Sequence, residues 1–282
     1  MNKDNKILIV GLGLIGGSYA WALSEAGYEV GGIDLDKNSI DYAVGKGWIK
    51  HGRTDTDEEY IRQFDIIIFA LYPHTLLDWI KENQHCIKKN ALLTDTTGVK
   101  RCIVYDIQKI LRDDLEFIGA HPMAGRERSG VQFSDKEIFK NANYIVTPTD
   151  KNTESAIETC MEIGRILGFK CITELTPEKH DEMIGFLSQL THCIAVSLMT
   201  CRDCESFAEY TGDSFRDLTR IAKINDIMWT ELFLQNKDEL IAQMDCFEQQ
   251  FHKLRDYIEN NDRENMRQMM RNSTHQREIF DT

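Results

Sequence analysis

The sequence has little proline, a deficit of positive charge and no separate apolar leader at its start. Its 282 residues include four prolines, and 46 acidic residues against 33 basic ones give a net charge of −13. A chain this acidic is a poor candidate for nucleic-acid binding, because phosphate contacts need clustered Lys and Arg. If the substrate is an anion, a local cationic pocket must attract it.

Membrane and export signals are also scarce. No apolar run is expected to reach the roughly 20 residues that cross a bilayer, and "MNKDNKILIVG" enters a strand without the regions of a signal peptide. We therefore expect a cytoplasmic protein with no membrane partner. Its eight cysteines are then expected to be reduced, and the C-x-x-C of Cys201 and Cys204 to be structural, with no metal site.

The first half of the chain alternates short apolar runs with helical patterns. Strand-like runs are "KILIVG", "YEVGGIDLD", "DIIIFALYP", "ALLTDT", "LEFIGAH" and "ANYIVTP", and helical stretches such as "LIGGSYAWALSEAG" and "HTLLDWIKENQHCIKK" lie between them. This alternation predicts βαβ units around a mostly parallel sheet.

The second half shows only helical spacing. It opens on "TPEKHDEM", where Thr176 can cap a helix, Pro177 fits its first turn and Glu178 complements its positive end. We therefore predict an α/β domain over residues 1–174 and an all-α domain over residues 175–282. The long helices carry more apolar surface than the second domain can bury alone, which predicts a homodimer through this half.

The stretch "GLGLIGGS" places glycines at G-x-G-x-x-G spacing between a strand and a helix. Gly11 permits the tight turn, Gly13 lets backbone N–H groups approach a pyrophosphate, and Gly16 permits close packing of helix on strand. Leu14 and Ile15 open the helix, whose N-terminus favours the phosphates. The alternative is a glycine-rich turn that binds no nucleotide.

An acid follows at the distance typical of dinucleotide-binding folds. Asp34 ends the second strand, 18 residues after Gly16, where it would accept hydrogen bonds from the adenosine ribose. It would also repel a 2′-phosphate, so NAD is the expected cofactor and the domain is expected to be of the Rossmann type.

The loop "GAHPMAGRERSG" holds the candidate base. His121 is expected at the carboxyl end of a strand, in a loop that faces the nicotinamide, where a neutral imidazole accepts the proton of an alcohol as its hydride leaves. A histidine that merely caps the strand end is the alternative.

Five motifs in order resemble those of one enzyme family. "HPMAGRERSG", "GLGLIGGS" with "IDLD", "DTTGVK", "TPEKHDEMIGFLSQLTH" and "FRDLTRIAKINDIMWTELFLQNK" together cover essentially the whole chain. They are similar to the motifs of the prephenate dehydrogenases, also called cyclohexadienyl dehydrogenases, of tyrosine biosynthesis. The resemblance implies a nucleotide-binding domain followed by a helical dimerisation domain, and NAD-dependent oxidative decarboxylation of prephenate.

The resemblance also implies roles for single residues. His121 would bind the ring hydroxyl of the substrate and assist its oxidation, and Arg220 would bind the ring carboxylate bidentately. Asp217 lies three residues before Arg220 and could orient its guanidinium, although a surface ion pair is the alternative. His192 would contact the substrate between the domains, although its apolar setting also suits a core histidine.

The chain departs from the family pattern at two positions. Gln189 stands where the family usually has a histidine, and it offers hydrogen bonds to the substrate but cannot titrate. Gly98 stands where the family commonly has a serine near the histidine and the nicotinamide. We hypothesise that Thr97 supplies that hydroxyl from a shifted position, in contact with cofactor and reaction.

Two charges of the histidine loop complete the candidate set. Glu127 matches an acid of the family and is predicted to bind the substrate, at the substrate entrance or in a bridge to the partner subunit, with a solvated loop charge as the alternative. Arg126 could reach the side-chain carboxylate of the substrate or the cofactor, or pair with Glu127.

Several functions stay open on the sequence. The same reaction on arogenate would give tyrosine directly, and a β-hydroxyacid dehydrogenase would rely on a lysine such as Lys223. A dinucleotide sensor without turnover would need Asp34 but not both His121 and Arg220.

Overall fold

The computed structural model describes residues 1–126, 128–203 and 205–281. Residues of the first half form one eight-stranded sheet. Its strands are β1 (Lys6–Val10), β2 (Glu29–Ile33), β3 (His51–Arg53), β4 (Ile66–Phe69), β5 (Leu92–Asp95), β6 (Glu116–Pro122), β7 (Asn143–Thr147) and β8 (Cys171–Glu174). The six predicted strands are confirmed, and the short edge strands β3 and β8 were not singled out by the sequence pattern.

The strand order is β3-β2-β1-β4-β5-β6-β7-β8. Every neighbouring pair is parallel except β6 and β7, which run antiparallel with His121 opposite Ile145. The order reverses at β1, because β2 lies on one side of it and β4 on the other. In open α/β sheets ligands bind outside the carboxyl ends of strands at such a reversal.

Helices cover both faces of the sheet. They are α1 (Leu14–Glu25), α2 (Lys37–Gly45), α3 (Glu58–Ile61), α4 (Pro73–Asn83), α5 (Arg101–Ile110) and α6 (Glu154–Leu167). Side chains of β1 alternate between the two cores: Ile7 and Ile9 join one apolar cluster, and Leu8 and Val10 join the other. This two-residue alternation explains why the strand is an unbroken apolar run.

The second half contains helices and connecting turns but no strand among its described residues, as predicted. Its helices are α7 (Pro177–Ile184), α8 (Thr191–Thr200), α9 (Asp213–Thr219), α10 (Asp226–Gln235), α11 (Lys237–Glu259) and α12 (Arg263–Glu278). A π-helical segment, Gly185–Leu190, joins α7 to α8 without a break. The Thr176 hydroxyl accepts the Lys179 N–H at 3.2 Å and caps α7 as expected.

The joined helix Pro177–Thr200 corrects one expectation from the sequence. It is 24 residues long, with a mean hydropathy of 1.4 over an 18-residue window, so by length and composition it could cross a membrane. Only 28% of that window is buried within the protomer. The sequence pattern concealed this run because a polar helix start precedes it.

The two halves are packed together. Leu232, Met228 and Trp229 of α10 lie against the apolar cluster on one face of the sheet. The second half also exposes many large apolar side chains: Phe186, Leu187, Phe207, Tyr210, Leu218, Ile227, Leu234, Ile241, Phe247, Phe251, Ile258, Met270, Ile279 and Phe280. Seven described cysteines carry free thiols, and Cys204 lies outside the described residues.

Candidate active site

The glycine loop connects β1 to α1 at the reversal of strand order. Gly11 has φ +94°, and a Cβ there would lie 2.5 Å from the Ala70 carbonyl oxygen. A Cβ on Gly16 would lie 1.9 Å from the Gly11 carbonyl oxygen. Both positions therefore require glycine, one for its backbone conformation and both for close backbone approach.

The space in front of this loop fits a pyrophosphate. Gly13 is the N-cap of α1, and a Cβ built on it meets nothing within 4 Å among the described residues. The N–H groups of Leu14 and Ile15 belong to the first turn of α1, where the helix has no carbonyl to accept them. Open space beside these donors suits the phosphates of a dinucleotide.

The Asp34 carboxylate is held by two backbone amides. Its Oδ2 accepts the Leu12 N–H at 2.6 Å, and its Oδ1 accepts the Asp36 N–H at 2.8 Å. Each carboxylate oxygen has a second lone-pair site, so the group keeps capacity for the two ribose hydroxyls. The placement fits the predicted NAD contact.

His121 is the sixth of the seven residues of β6, as predicted for a base at the carboxyl end of a strand. Its Nδ1 lies 2.8 Å from Nε2 of His180, and the two rings meet edge to face at a centroid distance of 5.1 Å. Burial lowers the pKa of His121 well below its usual value, and the nearby His180 and Lys100 lower it further. The imidazole is therefore neutral near pH 7, the form that accepts a proton.

His180 ties this base to the helical half. It is fully buried on α7, and its Nδ1 lies 2.7 Å from Oδ1 of Asp181. The same carboxylate accepts the N–H groups of Lys100 and Arg101 at 2.8 and 2.9 Å. Asp181 thus caps α5 of the first half from a helix of the second half.

A buried ion pair lies beneath His121. Lys100 Nζ donates to Oδ2 of Asp95 at 2.6 Å and to the Thr97 carbonyl and hydroxyl oxygens at 2.9 Å each. The other carboxylate oxygen of Asp95 accepts the Ala120 N–H at 3.0 Å, one residue before His121. Burial lowers the pKa of Lys100, although the charge of Asp95 opposes this effect.

The Thr97 hydroxyl belongs to this buried network. It donates within the network, where both Asp95 and the Val99 carbonyl lie in range, and it accepts from Lys100. These bonds occupy the hydroxyl, so its predicted contact with reaction and cofactor stays a prediction that the network disfavours.

Gly98 leaves room beside the base. A Cβ there would lie 3.9 Å from Nε2 of His121 and 3.4 Å from a methyl group of Leu232. The position thus brings the base of the first half next to α10 of the second half.

Gln189 is buried between the helices of the second half. Its Nε2 donates to the Leu232 carbonyl at 3.0 Å, and its Oε1 accepts from Asn236 at 2.8 Å. Only 1% of the residue is exposed. Its amide therefore supports α10, whose Leu232 forms the wall of the site next to His121. The substrate contact predicted for Gln189 stays a prediction.

His192 lies on α8 and stacks on Trp229 with a centroid distance of 3.7 Å. Its Nδ1 lies 2.8 Å from the Ser188 carbonyl oxygen, which makes Nδ1 the donor and leaves Nε2 unprotonated in the neutral ring. Trp229 and Leu232 are three residues apart on α10 and share a face. His192 is therefore on the same side of α10 as the wall beside His121.

Arg220 is the C-cap of α9 and begins a 3₁₀ turn, Arg220–Ala222, that packs against α8. It therefore lies next to the helix that carries His192. Arg220 and Asp217 are both exposed within the protomer, so their predicted roles stay predictions.

The histidine loop places its arginine toward the cofactor side. Arg126 pairs with Asp135 at 2.7 Å, and the Asp135 N–H donates to Ser18 of α1 at 3.0 Å. The pairing of Arg126 with an aspartate explains its position without a substrate. Glu127 lies outside the described residues, so its predicted contact is not placed.

Sequence reasoning missed the groups that hold the base. In the sequence, His180 and Asp181 stand within the helix start "TPEKHDEM" and Lys100 within "DTTGVK", with no local sign of a shared site. The sequence does contain one signal for His180 and Asp181. These two titratable residues lie beside the apolar run "MIGFL", and titratable side chains are rarely buried unless they are paired. A further missed contact joins the halves, where Glu231 on α10 accepts the His74 N–H and lies 2.6 Å from its Nδ1.

Two family models of known proteins match this chain. The family model described as "Prephenate dehydrogenase, nucleotide-binding domain" matches residues 19–173, and the one described as "Prephenate dehydrogenase, dimerization domain" matches residues 176–272. The first alone covers more than half of the chain.

Individual relatives are named prephenate dehydrogenase. A prephenate dehydrogenase from Bacillus subtilis is 32% identical over 272 residues, covering 94% of this chain and 72% of that protein. One from Lactococcus lactis is 30% identical over 259 residues, covering 88% and 70%. A crystal structure of a prephenate dehydrogenase from A. aeolicus, in complex with hydroxyphenyl propionate and NAD+, is similar with a TM-score of 0.88, 30% identity and 97% coverage of each chain.

Proposed function

The chain belongs to the prephenate dehydrogenase family, and from that premise we propose that it oxidises prephenate to 4-hydroxyphenylpyruvate and CO2 in tyrosine biosynthesis. It is an NAD-dependent oxidoreductase. The single observation that carries the assignment is His121, a neutral imidazole at the carboxyl end of β6, held beside the wall that α10 builds from the other domain.

The chemistry of the reaction explains why the site needs a base next to the ring hydroxyl. Bound NAD+ would supply the hydride acceptor for ring C4. The carboxylate on C1 leaves as CO2, and its bonding electrons complete the aromatic ring. The ring hydroxyl ends as a phenol, so the proton that His121 draws toward itself is returned and the reaction releases no net proton. Aromatisation drives the reaction. The protein mainly has to align ring C4 with the nicotinamide and polarise the ring hydroxyl.

The chain's own residues divide this work. Asp34 and the α1 amino terminus bind the dinucleotide, as the amide-held carboxylate and the open space at Gly13 support. His121 polarises the ring hydroxyl through Nε2. Arg220 binds the ring carboxylate, with Asp217 orienting its guanidinium. His192 contacts the substrate from α8, where stacking on Trp229 fixes its ring.

We further propose that a homodimer is the working form. The apolar helix Pro177–Thr200 is mostly uncovered in the protomer, and its first turns place the carboxylate of Asp181 against α5. A charged carboxylate at this end is costly in a lipid setting, so a second copy is the better cover. The second family model is described as a dimerization domain, which supports this assembly.

The remaining features of the proposal follow from the same evidence. The division into residues 1–174 and 175–282 is supported by β8 ending at Glu174 and α7 beginning at Pro177. Cytoplasm is the proposed location, since the relatives are biosynthetic enzymes. The partner is a small-molecule anion, with neither nucleic acid nor membrane involved.

The test is a side-by-side rate comparison. Purified protein is mixed with prephenate or arogenate, each with NAD+ and with NADP+, and reduced nucleotide is followed by absorbance. We expect the highest kcat/KM for prephenate with NAD+. A preference for arogenate would correct the substrate, and no turnover with either would support a dinucleotide sensor.

A further inference from the structure

Three side chains form a line of hydrogen bonds that crosses between the two domains. Asp181 lies 2.7 Å from Nδ1 of His180, and Nε2 of His180 lies 2.8 Å from Nδ1 of His121. His121 belongs to β6 of the first domain, whereas the other two belong to α7 of the second. The far nitrogen of His121, Nε2, lies beside Gly98, where the domains meet.

The direction of each hydrogen bond in this line follows from its first member. Asp181 accepts three hydrogen bonds, two from backbone N–H groups and one from His180. Since an ionised carboxylate can only accept, Nδ1 of His180 must carry a proton. A neutral His180 then presents a lone pair on Nε2, so the contact with His121 requires a proton on Nδ1 of His121. Each neutral ring carries one N–H proton, and in both rings it is on Nδ1. Nε2 of His121 is therefore unprotonated.

We propose that Asp181 and His180 are positioning residues that fix the tautomer of His121, so that its Nε2 always presents a lone pair to the substrate hydroxyl. This inference rests on the proposed function and deepens it. The helical domain would then supply more than a dimer contact, because it sets the proton-accepting nitrogen of a base carried by the other domain.

The charged groups around the line are consistent with one fixed state. Lys100, at the start of α5, and Asp95, at the end of β5, face the two rings as a buried ion pair with no net charge. Burial lowers the pKa of His180, although its bond to Asp181 opposes this effect. Both rings are therefore neutral near pH 7, and each carries its single proton on Nδ1.

The same line stabilises the reacting state. As the hydride leaves C4 of the substrate, the hydroxyl proton moves toward Nε2 of His121, and positive charge develops on that ring. His121 then donates more strongly from Nδ1 to His180, whose own proton is shared with the anionic Asp181. When the ring becomes aromatic the proton returns to the phenol oxygen, so the line is restored with no atom gained or lost.

The first test reads the tautomer without any turnover. Protein labelled with 15N-histidine is studied by NMR at about pH 8, where neutral histidine dominates, and the ring signals are assigned by comparison with His121→Gln and His180→Gln variants. We expect His121 and His180 each to carry the proton on Nδ1. A proton on Nε2 of His121, or an even mixture of the two tautomers, overturns the proposal.

The second test uses two substitutions that differ in a single capacity. In His180→Gln the side-chain oxygen can accept the His121 Nδ1–H, whereas His180→Leu offers no acceptor. We expect kcat with prephenate to fall less than about 10-fold in the first and about 10²- to 10⁴-fold in the second, with KM for NAD+ unchanged in both. His252→Gln, at an exposed histidine of α11, is the matched control and retains full activity.

The outcomes separate this inference from the proposed function. If the wild-type protein turns over prephenate but both His180 variants lose kcat equally, then acceptance by residue 180 is not what matters and the inference fails. If the wild-type protein turns over neither substrate, the proposed function fails, while the NMR result still decides the tautomer. A His180→Leu variant that does not fold leaves the NMR measurement on the native protein decisive.

Discussion

The base side and the carboxylate side of the candidate site are built in opposite ways. On the base side, His121 contacts a fully buried histidine, and that histidine contacts an aspartate with 1% of its surface exposed. On the carboxylate side, Arg220 is exposed and lies two residues after Leu218, which is 49% exposed in the protomer. The hydrogen bonds of the first side form within one chain, whereas the second side borders apolar surface that is exposed in the protomer.

This difference indicates that the fold constrains the proton-accepting group more tightly than the substrate-binding cation. Proton transfer requires one nitrogen in one protonation state, and the hydrogen bonds of buried His180 and Asp181 would supply that. Recognition of a dianion requires a cation within reach of solvent until the substrate arrives, which the exposed guanidinium of Arg220 would supply in the proposed function. A rigid base and an accessible cation are therefore suited to their separate tasks.

The largest expected effect comes from removing the base. His121→Asn should lower kcat with prephenate by about 10²- to 10⁴-fold, because general-base assistance is lost while Asp34 and the glycine loop still bind NAD+. Steady-state rates and NAD+ binding by calorimetry check this. A variant that keeps more than a tenth of the wild-type kcat would show that the buried side does not drive the reaction.

The next effect tests the exposed side. Arg220→Lys should raise KM for prephenate about 10- to 100-fold, because a bidentate charged contact contributes about 1.5–3 kcal/mol. Arg216→Lys is the matched control on the same helix, since Arg216 bonds Asp213 and the Thr211 carbonyl. Equal effects of the two substitutions would remove the distinction between Arg220 and an ordinary surface charge.

Acid should destabilise the buried side specifically. The pKa values of His121 and His180 are lowered in the folded protein, mainly by burial, so below about pH 6.5 the unfolded chain binds protons that the folded chain does not. Stability is therefore full above that pH and falls as pH drops through it, by at most about 1.4 kcal/mol per pH unit for each histidine.

Thermal unfolding from pH 8 to pH 5.5 measures this dependence. His180→Gln removes one of the two buried titrating groups, so its Tm should fall less steeply with acid than that of the wild-type protein. The exposed His252 carries no such burial, and His252→Gln should reproduce the wild-type curve. A wild-type slope in His180→Gln would mean that His180 is already protonated in the folded state.

The comparison also separates what the sequence could predict from what it could not. The glycine loop, Asp34 and the position of His121 depend on local order along one strand and one turn, and short motifs record such order. His180 and Asp181 reach His121 from 59 and 60 residues farther along the chain, through the docking of α7 on α5. No local pattern reports which helix covers which strand end, so the partners of the base were invisible.

The same limit explains the residues whose roles stay predictions. Thr97 and Gln189 were selected as polar residues within family motifs, and the structure engages both in buried hydrogen bonds. A motif shows that a polar group is needed but not whether it faces the substrate or the protein. For a related reason, the sequence predicted only that the second half is helical. The spacing of apolar residues indicates helices but does not indicate how they pack.

The smallest expected effect lies where the two sides meet. Gly98→Ala adds a methyl group 3.9 Å from Nε2 of His121 and 3.4 Å from Leu232, both ordinary contacts. The variant should be more stable by about 0.4–1 kcal/mol, because alanine restricts the unfolded chain, and kcat should fall less than about 10-fold. Gly16→Ala is the contrast, since its Cβ overlaps the Gly11 carbonyl oxygen and should abolish NAD+ binding. A loss of kcat in Gly98→Ala as large as in His121→Asn would mean that the gap at residue 98 itself holds the reacting hydroxyl, which would move the centre of the reaction from the base to the boundary between the domains.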